Sequence, residues 1–429
     1  MPRNSFFVLT FVLVVLLAPP VFCQLEEEVR VDLIEVWAKV TDKDNKVVTD
    51  LKPEEFSIFI DGKQMDMRCF DKVFDEVPVV EEEDTFQVPP TDDPRRVKRS
   101  FVFFFDLLHT SSRDLDFLKN KISTFLETSF HEQQDQGMVF VLLPSMHLGV
   151  VQKMTSTRDA LIDVISKMRG NPTQEVRVRN NEKELLEVLY AFAQGGQTPT
   201  GGERGGVASR SVETIRQARG LARTFASQEK NLSKITLNSF LSISDYLADN
   251  ASPGRVVMIY VSGGFSIRPG QNYYDIVDKA IDDTSVVGSE DMVFRDKPDN
   301  DFEIEVRNAI GLLNRLNVTI YSIDANGLLE NNRGADRDTR MVQLGTNAVT
   351  YTQELQDSLA MISRETGGMA FLNSQNFERG LREVADDMNQ QYWLCSSLPP
   401  FKKRGTYHKI EVKVARADLN VRHRRGYVE

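Results

Sequence analysis

The chain has 429 residues, 41% hydrophobic and 27% charged, so it can form folded domains with sizeable cores and is not a disordered polymer. Its formal net charge is −11 at pH 7, and its basic residues are scattered along the sequence. This distribution argues against a nucleic-acid-binding or anionic-membrane-binding surface, because both require a concentrated positive face.

Residues 1–23 have the three-part pattern of a secretory signal peptide. Arg3 precedes the apolar run FFVLTFVLVVLLA, which is shorter than the roughly 20 residues that a membrane-spanning helix needs. A retained anchor and a lipid attachment at Cys23 are the alternatives, although Phe22 is bulky where a lipidation signal prefers a small residue. We therefore predict a secreted or periplasmic protein with no transmembrane helix after signal removal.

The next two segments are predicted to be part of a β-sandwich and a linker. Within residues 24–76, VRVDLIEVWAKVT alternates with period two, and EEFSIFIDGKQMDMRCF is typical of strands joined at Asp61-Gly62. Three or four strands make a thin core, so this unit needs strands from elsewhere in the chain. Residues 77–99 are acidic, then proline-bearing, then basic, which indicates a linker.

Residues 100–390 alternate between strand and helix patterns, which predicts an α/β domain with a doubly wound, mostly parallel sheet. The runs FVFFF, MVFVLLP, RVVMIYVS and NVTIYSIDA are typical of strands buried on both faces. Insertions are expected at about 170–250, 266–300 and 326–350, at positions where loops decorate such a sheet. The first insertion contains two helix-like segments, SVETIRQARGLARTFASQ and ITLNSFLSISDYLA.

Residues 391–429 return to β alternation, with predicted strands in YWLCSS, YHKIEVKVA and LNVRHRRGYV. We therefore predict one β-sandwich built from both chain ends, with the α/β domain inserted within it. Cys69 and Cys395 are the cysteines left after signal removal, and an even pair in an exported protein indicates a disulfide. Two separate buried thiols are the alternative, because a sequence does not show proximity.

Seven segments in this order resemble the von Willebrand factor type A-related domain proteins of bacterial envelopes and secretomes, over nearly all of residues 29–428. They are VRVDLIEVWAKVTDKDNKVVTDLKPEEFSIFIDGK, FVFFFDLLHTS, MTSTRDALIDVI, SPGRVVMIYVSGGF, NVTIYSIDANGL, ISRETGGMAF and HKIEVKVARADLNVRHRRGY. The resemblance implies a type A domain and protein–protein interaction, in adhesion or envelope assembly. A fold does not dictate a function, so the site residues need their own argument.

The resemblance also implies a cation site at the carboxyl ends of the strands. Type A domains often hold a divalent cation with an Asp-x-Ser-x-Ser loop, a distant Thr and a distant Asp. Here Asp106 matches the aspartate and Thr110 the second hydroxyl, whereas Leu108 matches the first hydroxyl and offers no oxygen. The alternative is structural: Asp106 would bond backbone amides of the turn, and the hydroxyl residues after it would cap the next helix.

The remaining ligand positions of the implied site are incomplete. Ser262 stands where the distant aspartate is expected, and Thr198 or Thr200 would supply the distant threonine. The implied set of Asp106, Thr110 and Ser262 is a degenerate metal-ion-dependent adhesion site. It predicts no cofactor, or only weakly bound Mg²⁺ or Mn²⁺, because Mg²⁺ is usually held through carboxylates.

Two nearby residues have both a functional and a structural interpretation. Asp324 ends another strand at the same edge and is either a ligand or a turn anchor. His109 lies beside Asp106 and either ligates or titrates, or is simply solvated.

The sequence carries no recognisable catalytic motif. None of the five histidines has a metal-ligand spacing, there is no Gly-x-Ser-x-Gly elbow, and GGERGG lacks the Lys-Ser/Thr of a phosphate loop. We therefore predict a non-enzymatic protein-binding module without catalytic or cofactor-binding residues, which meets another protein at the strand-carboxyl edge. The alternatives are a hydrolase or other enzyme with its active site in the insertions, and an inert structural envelope component.

Overall fold

The structure is a computed structural model that describes residues 33–74, 99–110, 112–170, 180–181, 183–189, 204–250, 254–282, 301–325, 348–372, 377–388, 390–398 and 405–429. The predicted signal peptide, Cys23 and most of the predicted linker lie outside these ranges, as does most of the third insertion. Within the described residues, no helix combines the length and the apolar character that crossing a membrane requires.

The elements follow one another in the order strands, then alternating strands and helices, then strands. The strands are β1 (Leu33–Thr41), β2 (Phe56–Ile60), β3 (Lys63–Met65), β4 (Met67–Phe74), β5 (Arg99–Asp106), β6 (Asp135–Leu142), β7 (Leu148–Thr155), β8 (Val256–Ser262), β9 (Val318–Asp324), β10 (Ala370–Phe371), β11 (Gln390–Ser397), β12 (Tyr407–Val414), β13 (Asn420–Arg422) and β14 (Gly426–Val428). The helices are α1 (Ser112–Ser129), α2 (Arg158–Ser166), α3 (Arg204–Asn250), α4 (Gln271–Asp282), α5 (Glu303–Arg315), α6 (Ala348–Thr366) and α7 (Phe377–Met388).

The middle of the chain forms a six-stranded mixed sheet in the order β10-β9-β8-β5-β6-β7. All neighbours are parallel except β7, which runs antiparallel to β6. In β5, Phe101, Phe103 and Phe105 face one core, which α1, α2 and α7 cover. Val102 and Phe104 face a second core, which α3, α5 and α6 cover. The strand is apolar throughout because both of its faces are buried.

The two chain ends form two four-stranded antiparallel sheets, in the orders β13-β1-β11-β4 and β14-β12-β2-β3. The sheets share one core, to which Val36 and Ile58 contribute from the first part of the chain, and Leu394 and Ile410 from the last. Each sheet alone would leave its apolar face in water, so the two chain ends depend on each other for burial. The protein is therefore a mixed α/β structure with a central sheet and two antiparallel sheets.

A disulfide joins the two chain ends within one of these sheets. Cys69 on β4 and Cys395 on β11 are direct register partners, with Cα atoms 4.8 Å apart. The bridge closes a loop of 326 residues in the unfolded chain. It fits an extracellular or envelope location, because disulfides persist in oxidising compartments.

Two sequence-based assignments are corrected by the structure. The two helix-like segments of the first insertion lie on one continuous helix, α3. The predicted strand LNVRHRRGYV is instead divided between β13 and β14, which belong to different sheets. The chain changes sheet at Arg424, whose buried guanidinium donates to the carbonyl oxygens of Asn314 and Glu35.

Helix α3 is longer than the sheet it covers. Its second half, with Phe240 and Ile243, packs on the central sheet, whereas Ile215 and Phe225 in its first half pack with α4 in a separate cluster. Glu229 lies at the level of the carboxyl edge of the central sheet. The helix residues before it, about 25 in number, span about 38 Å at 1.5 Å per residue. We call residues 183–189, the α3 segment 204–228 and α4 the helical extension.

Candidate functional site

The predicted site lies where β5, β8 and β9 end. Asp106 is the last residue of β5, Ser262 the last of β8 and Asp324 the last of β9. Because these strands are parallel neighbours, all three residues reach the same edge of the sheet. The structure brings Asp106 and Ser262 into direct contact, with Ser262 Oγ donating to Asp106 Oδ2 at 3.0 Å.

The Asp106 carboxylate is completely buried and fully engaged by protein groups. Its Oδ1 accepts hydrogen bonds from the main-chain N–H groups of Leu108 at 3.1 Å and of His109 at 3.2 Å. Its Oδ2 accepts from the hydroxyls of Ser262 and Tyr260, and it lies 2.8 Å from Nδ1 of His109. Such a set of donors is what a buried carboxylate needs in order to remain in a low-dielectric interior.

Thr110 and Leu108 complete the turn after β5 without offering oxygen atoms to a ligand. The Thr110 hydroxyl donates to the main-chain oxygen of Asp106 at 2.8 Å and not to its carboxylate. Leu108 packs in the core on the α3 side of the sheet. The Oδ1 contacts of Asp106 are those of the structural alternative, in which the carboxylate orders the turn.

His109 is buried, with 7% of its surface exposed, so the interpretation as a solvated side chain is wrong. Besides its contact with Asp106, Nδ1 lies 3.5 Å from the hydroxyl oxygen of Thr236 on α3. Its main-chain oxygen accepts a hydrogen bond from Gly263 N–H at 3.2 Å. The histidine is covered because α3 crosses the sheet edge at this point.

Tyr260 belongs to this cluster although the sequence analysis did not select it. It donates to Asp106 Oδ2 at 3.1 Å, and burial raises its pKa well above the usual range, as does the nearby charge of Asp106. The phenol therefore stays protonated and acts as a donor. A signal was present, since Tyr260 lies two residues before Ser262 and side chains two apart share one face of a strand.

Asp324 lies at the same edge but has different contacts. It is 2% exposed and accepts a hydrogen bond from Gln356 Nε2 on α6 at 2.8 Å. The main chain links it to β8, because Ala325 N–H donates to the Ser262 main-chain oxygen at 2.9 Å. These contacts tie α6 to the end of β9.

Two glutamates that the sequence analysis also missed, the partly buried Glu354 and the buried Glu229, hold the segment that follows β8. Glu354 on α6 accepts hydrogen bonds from the Ser266 hydroxyl and from Arg268 N–H, and burial raises its pKa. Glu229 on α3 accepts from Gly270 N–H at 2.9 Å and from the Tyr273 hydroxyl at 3.0 Å. The carboxyl edge and the helical extension are therefore connected by buried hydrogen bonds.

The residues present do not fit the divalent cation that the resemblance implies. Asp106 contributes one carboxylate whose two oxygens are already hydrogen-bonded, and Thr110 directs its hydroxyl to a carbonyl. Mg²⁺ is usually bound through carboxylates with several waters retained. Within the described part of the chain, no group of three or more His, Cys, Asp or Glu residues could hold a metal ion. Thr198 and Thr200 lie outside the described residues.

The Asp106 cluster is consequently an internal anchor of the sheet edge. Asp106, Thr110 and Ser262 each have no exposed surface. A macromolecule that approaches this edge therefore cannot touch these three side chains. What it meets nearby is the exposed surface of α3 and the rest of the helical extension.

Comparison with known proteins assigns no family. No protein-family model and no curated protein sequence matches the chain. Solved structures to which it is similar include BatB from Bacteroides thetaiotaomicron, described as a conserved hypothetical protein, with 11% identity, 67% of this chain and 98% of that chain covered, and a TM-score of 0.28.

Two further structures to which it is similar are pilus proteins. For the PilB minor pilin of Streptococcus sanguinis, the identity is 10%, 68% of this chain and 60% of that chain are covered, and the TM-score is 0.28. For the type V pili tip protein Mfa5 of Porphyromonas gingivalis, the identity is 8%, 93% of this chain and 68% of that chain are covered, and the TM-score is 0.31. The chain thus spans less than two thirds of the PilB structure. Similarity at this level does not carry an argument about function.

Proposed function

We propose that the chain is a secreted or periplasmic protein-binding module, built on a doubly wound, type A-like sheet and acting without catalysis. The strand order supports this proposal, because the six strands, numbered within the central sheet, lie in the order 3-2-1-4-5-6 of doubly wound folds. The helices on both faces and the disulfide are further support. The type A resemblance supplies the expectation of a protein partner.

The observation that carries the proposal is the helical extension beside the carboxyl edge. In open α/β sheets, ligands bind outside the carboxyl ends of the strands. Here the Asp106 cluster at that edge is saturated by internal hydrogen bonds, while the first insertion places ordered helices next to it. We therefore propose that the partner docks on the exposed surface of α3, in the extension and in the helical turns that follow it, rather than on the Asp106 cluster itself.

One face of α3 is suited to such docking. Between residues 213 and 238, the exposed residues within an arc of about 80° at 3.6 residues per turn are Glu213, Arg216, Gly220, Arg223, Ser227, Asn231, Lys234 and Asn238. We call this set the α3 face. Arg216 pairs with Glu213 at 2.6 Å, so the net positive charge of this face comes from Arg223 and Lys234, on a chain whose formal net charge is −11. Charge complementarity therefore favours a partner protein with an acidic docking surface.

The test compares crosslinking capture by three forms of the mature chain in native envelope material. Arg223→Glu with Lys234→Glu reverses two charges of the α3 face. Lys43→Glu with Lys167→Glu makes the same change in net charge at two exposed lysines elsewhere. We expect the wild type and the Lys43/Lys167 variant to capture the same partner, and the α3-face variant to lose it. Equal capture by all three forms would refute the α3 face as the docking surface.

A further inference from the structure

A buried arginine at the opposite edge of the central sheet has part of its hydrogen-bonding capacity unused. Arg255 immediately precedes β8 and is 5% exposed. Its Nη1 donates to the main-chain oxygen of Met388 at 3.0 Å. Its Nε and Nη2 atoms are also buried, but neither has a hydrogen-bond partner among the described residues. In a guanidinium these two nitrogens direct their N–H groups the same way, as a fork that matches a carboxylate or phosphate.

Arg99, on the neighbouring strand, shows the same fork when it is occupied. Its Nε donates to Asp135 Oδ1 and its Nη2 to Asp135 Oδ2, both at 2.7 Å. Arg255 has the same two donors in a more buried position, but no carboxylate of the part of the chain that the structure describes is bonded to them. Because a buried charge is normally paired and hydrogen-bonded, this arrangement points to an acceptor that the described residues do not provide.

Trp37 provides another unused donor beside the Arg255 fork. The Arg255 Cζ atom lies 5.3 Å from the centroid of the Trp37 ring. The Trp37 Nε1–H group is buried and has no hydrogen-bond partner either. Trp37 belongs to β1, so the two side chains meet where the antiparallel sheets join the central sheet. The indole is only partly buried, which places the pair close to the protein surface.

The charges around Arg255 favour an additional anion. Asp387 on α7 is fully buried, and it is already bonded by Lys39 Nζ at 2.7 Å, by the Arg422 guanidinium and by the Tyr321 hydroxyl. Arg255, Lys39 and Arg422 thus share this one carboxylate. Burial lowers the pKa of the Arg255 guanidinium; Tyr321 and Asp387 act against this shift, and the charges of Arg422 and Arg99 add to it.

We propose that the Arg255 fork, with Trp37 Nε1–H as a third donor, is a binding site for a small oxyanion. The ligand is a planar carboxylate or a tetrahedral phosphate or sulfate, all of which offer two oxygens to the fork. Bound there, it bridges Arg255 of the central sheet and Trp37 of β1, and it neutralises the excess positive charge. This site is separate from the α3 face and does not depend on the proposed partner.

The test is a titration of the full mature chain with acetate, inorganic phosphate or sulfate, at constant ionic strength maintained with sodium chloride. Thermal unfolding and calorimetry are the measurements, and at least one anion is expected to bind saturably and raise Tm. If acetate raises Tm at the lowest concentration, the ligand is a carboxylate. If phosphate or sulfate does so at a lower concentration than acetate, the ligand is a tetrahedral anion. The Trp393→Phe form leaves Trp37 as the reporter of intrinsic fluorescence, because the chain has 2 tryptophans.

Two variants and one control locate the site. Trp37→Phe keeps a ring in place but removes the Nε1–H donor, so binding is expected to weaken about tenfold. Arg255→Gln removes the fork and is expected to abolish saturable binding. Arg382→Gln removes an exposed arginine of α7 and is expected to bind as the wild type does. The proposal is overturned if the wild type shows no saturable response, or if Trp37→Phe responds with unchanged affinity.

Discussion

Asp106 Oδ2 and His109 Nδ1 lie 2.8 Å apart in a turn where both side chains are buried. The histidine therefore does not point into solvent beside the predicted ligand edge; it closes that edge. The same carboxylate oxygen also accepts from Tyr260 and Ser262, so one aspartate orders the ends of β5 and β8 and the turn between β5 and α1.

The first prediction concerns this carboxylate. Asp106→Ala removes the side-chain acceptor of Leu108 N–H and of the Tyr260 and Ser262 hydroxyls, and it removes the contact with His109 Nδ1. We therefore expect it to lower the free energy of unfolding by about 3–5 kcal/mol. Asp106→Asn retains one oxygen acceptor and should cost less, about 1–3 kcal/mol. Urea unfolding of the mature chain is the measurement. Asp163→Ala, at an exposed aspartate of α2, is the matched control and should change stability by less than about 0.5 kcal/mol.

The second prediction concerns divalent cations. Both Asp106 oxygens are hydrogen-bonded, and Thr110 donates to a carbonyl. We therefore expect the Tm in millimolar MgCl₂ or MnCl₂ to equal the Tm in EDTA. Thermal unfolding at matched ionic strength is the measurement. A saturable rise of Tm that disappears in Asp106→Asn would contradict this expectation and restore the cation site.

The third prediction concerns the connection between the sheet and the helical extension. Gly270 has φ +81°, and a Cβ atom placed there would lie 2.1 Å from the Ala226 Cβ on α3. Gly270→Ala should therefore cost about 1–3 kcal/mol, from left-handed backbone strain together with the displaced helix. Hydrogen exchange should become faster in α4 before it does so in the central strands.

A matched control for Gly270 exists on α3, the helix that Gly270 packs against. Gly220 is exposed on α3, and an added Cβ would meet nothing within 4 Å. Gly220→Ala should stabilise the protein by about 0.5–1 kcal/mol, because alanine has the higher helix propensity. Equal effects of the two substitutions would show that the close approach of Gly270 to α3 is wrong.

The fourth prediction concerns pH. Burial lowers the pKa of His423 to about 4, and the neutral ring accepts from Val412 N–H while Nδ1 donates to the Arg424 carbonyl. In the unfolded state the His423 ring takes up a proton near pH 6.5. Between pH 6.5 and 4 the unfolded state therefore binds more protons than the folded state, and stability falls as the pH is lowered through that range. The loss attributable to His423 should reach about 3 kcal/mol near pH 4.

Urea unfolding at pH 7 and at pH 4.5 measures this effect. His423→Gln keeps one donor and one acceptor but does not titrate, so its stability should decline less than that of the wild type over the same interval. Identical declines in the two proteins would assign the acid sensitivity to other groups.

Several features of the fold were predictable because they depend on local patterns. The run FVFFF must be a strand buried on both faces, since its apolar residues continue without a polar face, and β5 has that environment. The alternation of VRVDLIEVWAKVT predicts one buried face, and Ile34, Val36 and Ala38 of β1 are buried. The end of β5 also places Asp106 at the carboxyl edge of the sheet.

Other features were decided by contacts between residues that are distant in sequence. Arg424 divides the last predicted strand because its guanidinium bonds to the main chain 110 and 389 residues away. His109 is buried because α3 passes over it, and periodicity in the segment around His109 contains no information about that helix. The empty Arg255 fork likewise becomes visible only when Trp37 and Met388 are placed beside it.

The sequence alone therefore determined where the central strands lie, which faces are apolar, and that Asp106 stands at the end of a central strand. Hydrophobic periodicity and strand ends are local properties, so they can be predicted from one sequence. Tertiary structure alone decided that the Asp106 carboxylate is satisfied by Tyr260, Ser262 and His109, and that α3 continues past the sheet. Hydrogen-bond partners and burial depend on how distant segments pack, and local patterns do not encode that.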